Sequence, residues 1–202
     1  YEEWKEKMEL PGEKYITLGA DIDTSTMNSG FGLGSTDFVS AIGRSHLDLN
    51  GKKLTLKKSI IESGGAIQFI QVTAGELIIE DSKDGGEIVG VNKVTKRYMR
   101  LIDVVAGAKL TLNSGRLYLE TAPDNSVPNA TICSMGTVEI NGGTVSISKF
   151  DGRDEATGQI NMQNFALETI NSVDGCYALI NGGTFDGRVL LNAVAKASGV
   201  AD

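Results

Sequence analysis

Leu110-Thr111-Leu112-Asn113-Ser114-Gly115-Arg116-Leu117-Tyr118-Leu119 is the stretch that decides the fold of this chain. Two short runs of alternating apolar residues flank a polar residue and a glycine turn. Alternation at period two marks strands with one buried face. The phrase returns as His46-Leu47-Asp48-Leu49-Asn50-Gly51 before Leu54-Thr55-Leu56, and as Leu77-Ile78-Ile79-Glu80 running through Gly85-Gly86 to Ile88-Val89. Further on it reads Val138-Glu139-Ile140-Asn141-Gly142-Gly143 before Val145-Ser146-Ile147, then Ala178-Leu179-Ile180-Asn181-Gly182-Gly183 before Thr184-Phe185. Tyr15-Ile16-Thr17-Leu18 is an earlier, weaker copy.

Taking Leu18, Leu49, Ile79, Leu112, Ile140 and Ile180 as landmarks, the steps are 31, 30, 33, 28 and 40 residues. That variation excludes repeats of fixed period; constant strands joined by loops of changing length produce it. A third strand fits before each landmark, at 67–72, 101–104, 130–133 and 167–170. The expected fold is all-β: one right-handed parallel β-helix of about six coils, each of three strands. No coil can bury its inner face alone, so each must stack on its neighbours.

The landmarks predict one internal column, followed by a polar column of Asn50, Glu80, Asn113, Asn141 and Asn181. Asn at a strand-to-turn corner bonds its own backbone and the next coil's amide. Asn50, Asn113, Asn141 and Asn181 are therefore read as structural. Between the apolar positions, side chains point outward. One outward column is expected to hold Asp48, Ile78, Thr111, Glu139 and Leu179, the next Thr55, Val89, Tyr118, Ser146 and Asp186.

The whole chain, 1–202, reads as a single domain. Residues 1–12 form an N-terminal helical cap in which Trp4 and Met8 share a face, 15–189 the coils, and 190–202 a C-terminal cap or cut end. Met27 to Phe38 reads as a loop. The first residue is Tyr1, so the chain reads as a piece of a longer protein with neighbouring domains.

A net charge of −7 argues against nucleic acid, whose phosphates demand clustered cations. The densest basic stretch, 93–100, is read as a solvated loop. No run approaches the roughly 18 apolar residues of a membrane span. Two cysteines make no disulfide framework. Cys133, three residues before Gly136 as Val72 is before Gly75, is read as replacing a core valine, out of register with Cys176; a disulfide between them is not favoured.

Leu47-Asp48-Leu49-Asn50-Gly51-Lys52-Lys53-Leu54-Thr55 resembles a segment of the pectin-lyase-like right-handed parallel β-helix domains of Gram-positive and gut bacterial surface proteins. Ile16-Thr17-Leu18-Gly19-Ala20-Asp21-Ile22 is similar to the strand that follows their Trp-containing helix. Leu77 to Ser82 with Gly85-Gly86, and the Ile-Asn-Gly-Gly-Thr phrases at Ile140 and Ile180, resemble further coils. The resemblance spans nearly the whole chain. It implies an extracellular or cell-wall setting and contact with polysaccharide, host glycan or host protein. It transfers no catalytic residue.

Enzymes of that superfamily cut acidic polysaccharides. Lyases need clustered carboxylates for calcium and a basic proton acceptor; hydrolases need two carboxylates roughly 5 to 9.5 Å apart. Asp48 and Glu139, three coils apart, would stand about 14 Å from each other. Glu139 and Asp186 are the remaining candidate catalytic pair, across one coil and one corner. His46, the one histidine, makes neither a metal site nor a triad alone. No metal or cofactor site is expected. Tyr118 is the candidate ligand contact, as an outward ring able to stack on a sugar. The expectation is a non-catalytic scaffold or adhesin, with a polysaccharide lyase or glycoside hydrolase as the alternative.

Overall fold

The computed structural model describes residues 1–24, 38–58, 66–92, 98–121, 128–148, 164–170 and 176–191. A helix, α1 (Glu2–Glu9), precedes strands that wind into a parallel β-solenoid with three faces. Face one stacks β1 (Glu13–Thr17), the second halves of β3 (Val39–Asp48) and β5 (Ile67–Glu80), then β8 (Lys109–Leu112), β11 (Thr137–Ile140) and β14 (Tyr177–Ile180). Face two stacks the first halves of β3 and β5, then β7 (Met99–Val104), β10 (Asn129–Ser134), β13 (Asn164–Thr169) and β16 (Arg188–Leu191). Face three stacks β2 (Ile22–Asp23), β4 (Lys53–Lys57), β6 (Glu87–Asn92), β9 (Arg116–Thr121), β12 (Thr144–Ile147) and β15 (Thr184–Asp186). Complete turns are fewer than the about six expected. Among the described residues the lowest layer has no strand on face two.

Faces one and two form a single ten-stranded sheet because β3 and β5 run through the bend unbroken. They bend at Gly43 and Gly75, with φ of +72° and +81°. A Cβ on Gly75 would strike the Gly43 carbonyl, and one on Gly43 the Gly12 carbonyl. Only glycine combines left-handed backbone with that close stacking.

The internal column of face one is Ile16, Leu47, Ile79, Leu112, Ile140 and Ile180. This corrects the expected column in its first two layers: Leu47 replaces Leu49 below Ile79, and Ile16 replaces Leu18. The cause is the Asp48 carboxylate. Its Oδ1 accepts from Asn50 N at 2.8 Å and Ser82 N at 3.0 Å, and its Oδ2 from Ser82 Oγ at 2.8 Å. The chain therefore leaves the strand at Asp48, two residues early, and Leu49 is buried at the turn. Asn50, at φ +51°, donates to the Leu18 carbonyl at 2.9 Å and stands outside the polar column, where Asp48 pairs with Glu80.

On face two, adjacent residues reach the core together: Phe69 with Ile70, Leu101 with Ile102 and Ala166 with Leu167, while Thr131, beside the core residue Ile132, donates to the Ser146 carbonyl at 2.7 Å. The outward column is Gln71, Asp103, Cys133 and Glu168. The valine column continues instead as Val72, Val104 and Ser134, so Cys133 does not replace a core valine.

Helix α1 closes the lower end, with Trp4 and Met8 packed into the same core as Ile16 and Leu18. At the upper end Ile180 is 42% exposed, whereas Ile140 one layer below is fully buried. Connections also divide by corner. Those between faces one and three span 3 to 6 residues; those from face three to face two span 6 to 16, apart from Gly187 alone before β16. Buried amides clamp the feet of three of these longer connections, those before β7, β10 and β13. Asn129 Nδ2 donates to Asn164 Oδ1 at 2.8 Å, Asn164 Nδ2 to the Ser148 carbonyl at 2.9 Å, and Met99 N to Asn129 Oδ1 at 3.1 Å.

Candidate functional site

Parallel stacking sets equivalent positions of successive coils about 4.8 Å apart, so an outward column becomes a ladder of interacting side chains. On face one the ladder runs Glu13, Arg44, Glu76, Lys109. Arg44 Nη1 lies 3.1 Å from Glu13 Oε1 and its Nε 3.2 Å from Glu76 Oε2; Lys109 Nζ lies 3.1 Å from Glu76 Oε1 and 2.7 Å from Glu139 Oε2. Burial pushes the Glu76 carboxyl up, but hydrogen bonds from Thr111, Lys109 and Arg44 outweigh it and hold the group below its usual range. The hydrogen bond to Glu139 raises the Lys109 ammonium, against the opposing effect of burial.

The lower end of this face gathers four different functional groups. Tyr15 and His46 are neighbours in the second outward column, their rings stacked at 4.4 Å with 18° between planes. Glu13 Oε1 is the focus of the group. Tyr15 Oη donates to it at 3.3 Å, Arg44 Nη1 lies 3.1 Å away, and His46 Nε2 lies 3.4 Å away. His46 Nε2 makes no hydrogen bond and is shut off from solvent. Tyr15 is 74% exposed. The arrangement offers an open aromatic face braced by an imidazole, with a carboxylate and a guanidinium at its edge. That combination suits an aliphatic ring bearing hydroxyls, which stacks its C–H face and exchanges hydrogen bonds at its rim. The sequence reading passed over Tyr15. The signal was its position two residues from Glu13 and in register with His46.

Tyr118 stands on the expected outward column, with Val89 below and Ser146 above. Its ring is half-buried, and the Arg116 guanidinium lies over it at 4.5 Å. Arg116 in turn bridges to Glu87 at 3.2 Å. One face of this ring is therefore occupied from within the chain.

Glu139 and Asp186 lie on different sheets, in β11 and β15. Glu139 is held by Lys109 and by Asn141 Nδ2 at 3.2 Å, and the Lys109 bond leads in keeping its carboxyl below the usual range. Asp48, expected outward on face one, closes the turn, and His46 takes its place in the column. Asn113, Asn141 and Asn181 form a continuous ladder. Asn141 Nδ2 donates to Asn113 Oδ1 at 3.0 Å, and Asn181 Nδ2 to Asn141 Oδ1 at 2.8 Å.

The outer side of face two is a closed cluster. Asp103, 2% exposed, pairs with Arg100 at 2.8 Å and accepts from Gln71 at 2.9 Å. Burial pushes the Cys133 thiol up to about 12 and also raises the Glu168 carboxyl beside it, despite Arg100. Both cysteines are free and buried. A thiol so far above neutrality is no nucleophile. Among the described residues no three His, Cys, Asp or Glu side chains are placed to hold a metal ion, and no helix is long and apolar enough to cross a membrane.

The fold and these faces define a parallel β-solenoid. No protein-family model matches the chain, and neither the curated proteins nor the solved structures contain a match.

Proposed function

We propose that this chain is a non-catalytic module of a secreted or cell-surface bacterial protein, a rigid scaffold that contacts glycans through the lower end of face one. The carrying observation is the exposed Tyr15 ring stacked on His46 with Glu13 and Arg44 at its rim. The pectin-lyase-like resemblance supports the extracellular setting. Stiffness is supported by the continuous core and by ion-pair ladders that join every layer from Glu13 to Glu139. The longer connections all leave one corner, three of them with a foot clamped by Asn129 or Asn164, and suit a module whose function is display.

The test is a glycan array on the whole chain, repeated with Tyr15→Ala and Tyr118→Ala. Binding is expected to neutral or weakly charged sugars, to fall roughly two- to tenfold in Tyr15→Ala, as loss of one stacking contact implies, and to persist in Tyr118→Ala. Equal binding by Tyr15→Ala, capture of a host protein without any glycan, or release of unsaturated products or reducing ends from a uronate polymer would each overturn the reading.

A further inference from the structure

Three Asn-Gly dipeptides stand at the corner between faces one and three: Asn50-Gly51, Asn141-Gly142 and Asn181-Gly182. Such a pair can modify itself with water as the sole co-reactant. The glycine amide nitrogen attacks the Asn Cγ, a new C–N bond closes a five-membered succinimide, and the side-chain nitrogen leaves as ammonia carrying the displaced proton. Water then opens either ring carbonyl and yields aspartate or isoaspartate. A side chain on the second residue hinders the attack, and here the fold forbids one. A Cβ on Gly142 would strike the Asn113 carbonyl, and on Gly182 would come within 2.7 Å of the Asn141 carbonyl. The stacking that produces the ladder thus builds the reactive pair into it.

The three pairs are not equally free. At the first, Gly51 N donates to Asp81 Oδ1 at 2.6 Å and Asn50 Nδ2 to the Leu18 carbonyl at 2.9 Å, so nucleophile and electrophile are both tied down. At the second, the Asn141 amide is held at both ends: Nδ2 donates to Asn113 Oδ1 and Glu139 Oε1, and Oδ1 accepts from Asn181. The Asn181 amide is held at one end only, through Nδ2, and among the described residues none bonds its Oδ1. The glycine nitrogens do not distinguish these two pairs, since Gly142 donates to the Leu112 carbonyl at 3.3 Å and Gly182 to that of Ile140 at 3.2 Å. The side-chain amide alone differs.

We infer that Asn181-Gly182 is a site of spontaneous succinimide formation, and that the ladder slows the same chemistry at Asn141-Gly142 by holding that amide at both ends. Conversion replaces the Asn181 amide donor with a carboxylate and removes the bond that holds Asn141 Oδ1. The Asn141 amide is then held through Nδ2 only, as that of Asn181 was, so the first modification exposes Asn141 to the second. This inference is independent of the glycan reading.

The experiment is timed incubation of the whole folded chain at mildly alkaline pH, followed by peptide mapping by mass and by isoaspartate labelling. Asn181 is expected to convert roughly fivefold faster than Asn141, the factor one net hydrogen bond is worth, with Asn50 slowest. In the unfolded chain the three rates should converge. In Asn181→Ala, the rate at Asn141 should rise by a similar factor. Conversion of Asn141 or Asn50 as fast as Asn181 in the folded wild-type chain would overturn the inference without any variant. An unchanged Asn141 rate in a folded Asn181→Ala protein would overturn the ladder as its cause.

Discussion

Ile79 and Leu112 lie in register on adjacent layers of face one, both fully buried. Each fills space that the other would leave empty, so deletion is felt across coils. Ile79→Ala is expected to cost roughly 2 to 5 kcal/mol. Ile180→Ala, at the partly exposed upper layer, should cost roughly half as much or less, because less area leaves water there. Urea unfolding monitored by circular dichroism measures both. Equal losses would contradict a shared, graded core.

Lys109 bridges Glu76 and Glu139 across three layers. Both carboxyls are held below their ordinary range and the ammonium above its own. The triad therefore contributes stability above about pH 4.3, lost as pH falls through the lowered carboxyl values, and below about pH 10.4, lost as pH rises through the raised lysine value. Lys109 is partly exposed, so Lys109→Met should cost under about 1 kcal/mol at neutral pH. Most of that difference should vanish in acid. A cost that is the same at pH 3 and pH 7 would refute the electrostatic account.

Glu168 is raised by burial, so its charged form is disfavoured in the folded chain. For a carboxyl raised on folding, the favourable contribution exists below the unfolded value and is lost as pH climbs through the folded value. Glu168→Gln should therefore raise Tm at neutral pH and leave it unchanged in acid. Thermal melts at the two pH values decide it; a lower Tm at neutral pH would mean that Arg100 outweighs burial.

Cys133, fully buried with its thiol pushed up to about 12, should resist alkylation at mildly alkaline pH in the folded chain and react on unfolding. Time-resolved labelling with iodoacetamide, read by mass, checks this residue by residue. Rapid modification of folded Cys133 would show that the face-two cluster opens.

Much of the candidate site was hidden for one reason. Glu13, Tyr15, Arg44 and His46 are local neighbours only in pairs; the step from Leu18 to Leu49 already sets Glu13 beside Arg44 and Tyr15 beside His46, but their convergence on one oxygen, Glu13 Oε1, is a matter of side-chain geometry. Tyr118 was legible as an outward ring, yet its cover by Arg116 needed side-chain geometry. The column Thr55, Val89, Tyr118, Ser146, Asp186 was legible outright, since four of its five members follow their turn glycine by three residues and Thr55 follows Gly51 by four.

By itself the sequence determined the parallel solenoid, the helix at its lower end and the ladder from Asn113 through Asn141 to Asn181, because alternation, turn glycines and repeated phrases are properties of the linear chain. Tertiary structure decided between Leu47 and Leu49 as the residue under Ile79. A strand repeats every two residues, so shifting it by two leaves its pattern of inward and outward side chains unchanged. Only the contacts of Asp48 with Asn50 and Ser82 fix where the turn begins, and with it which groups meet on the outer face.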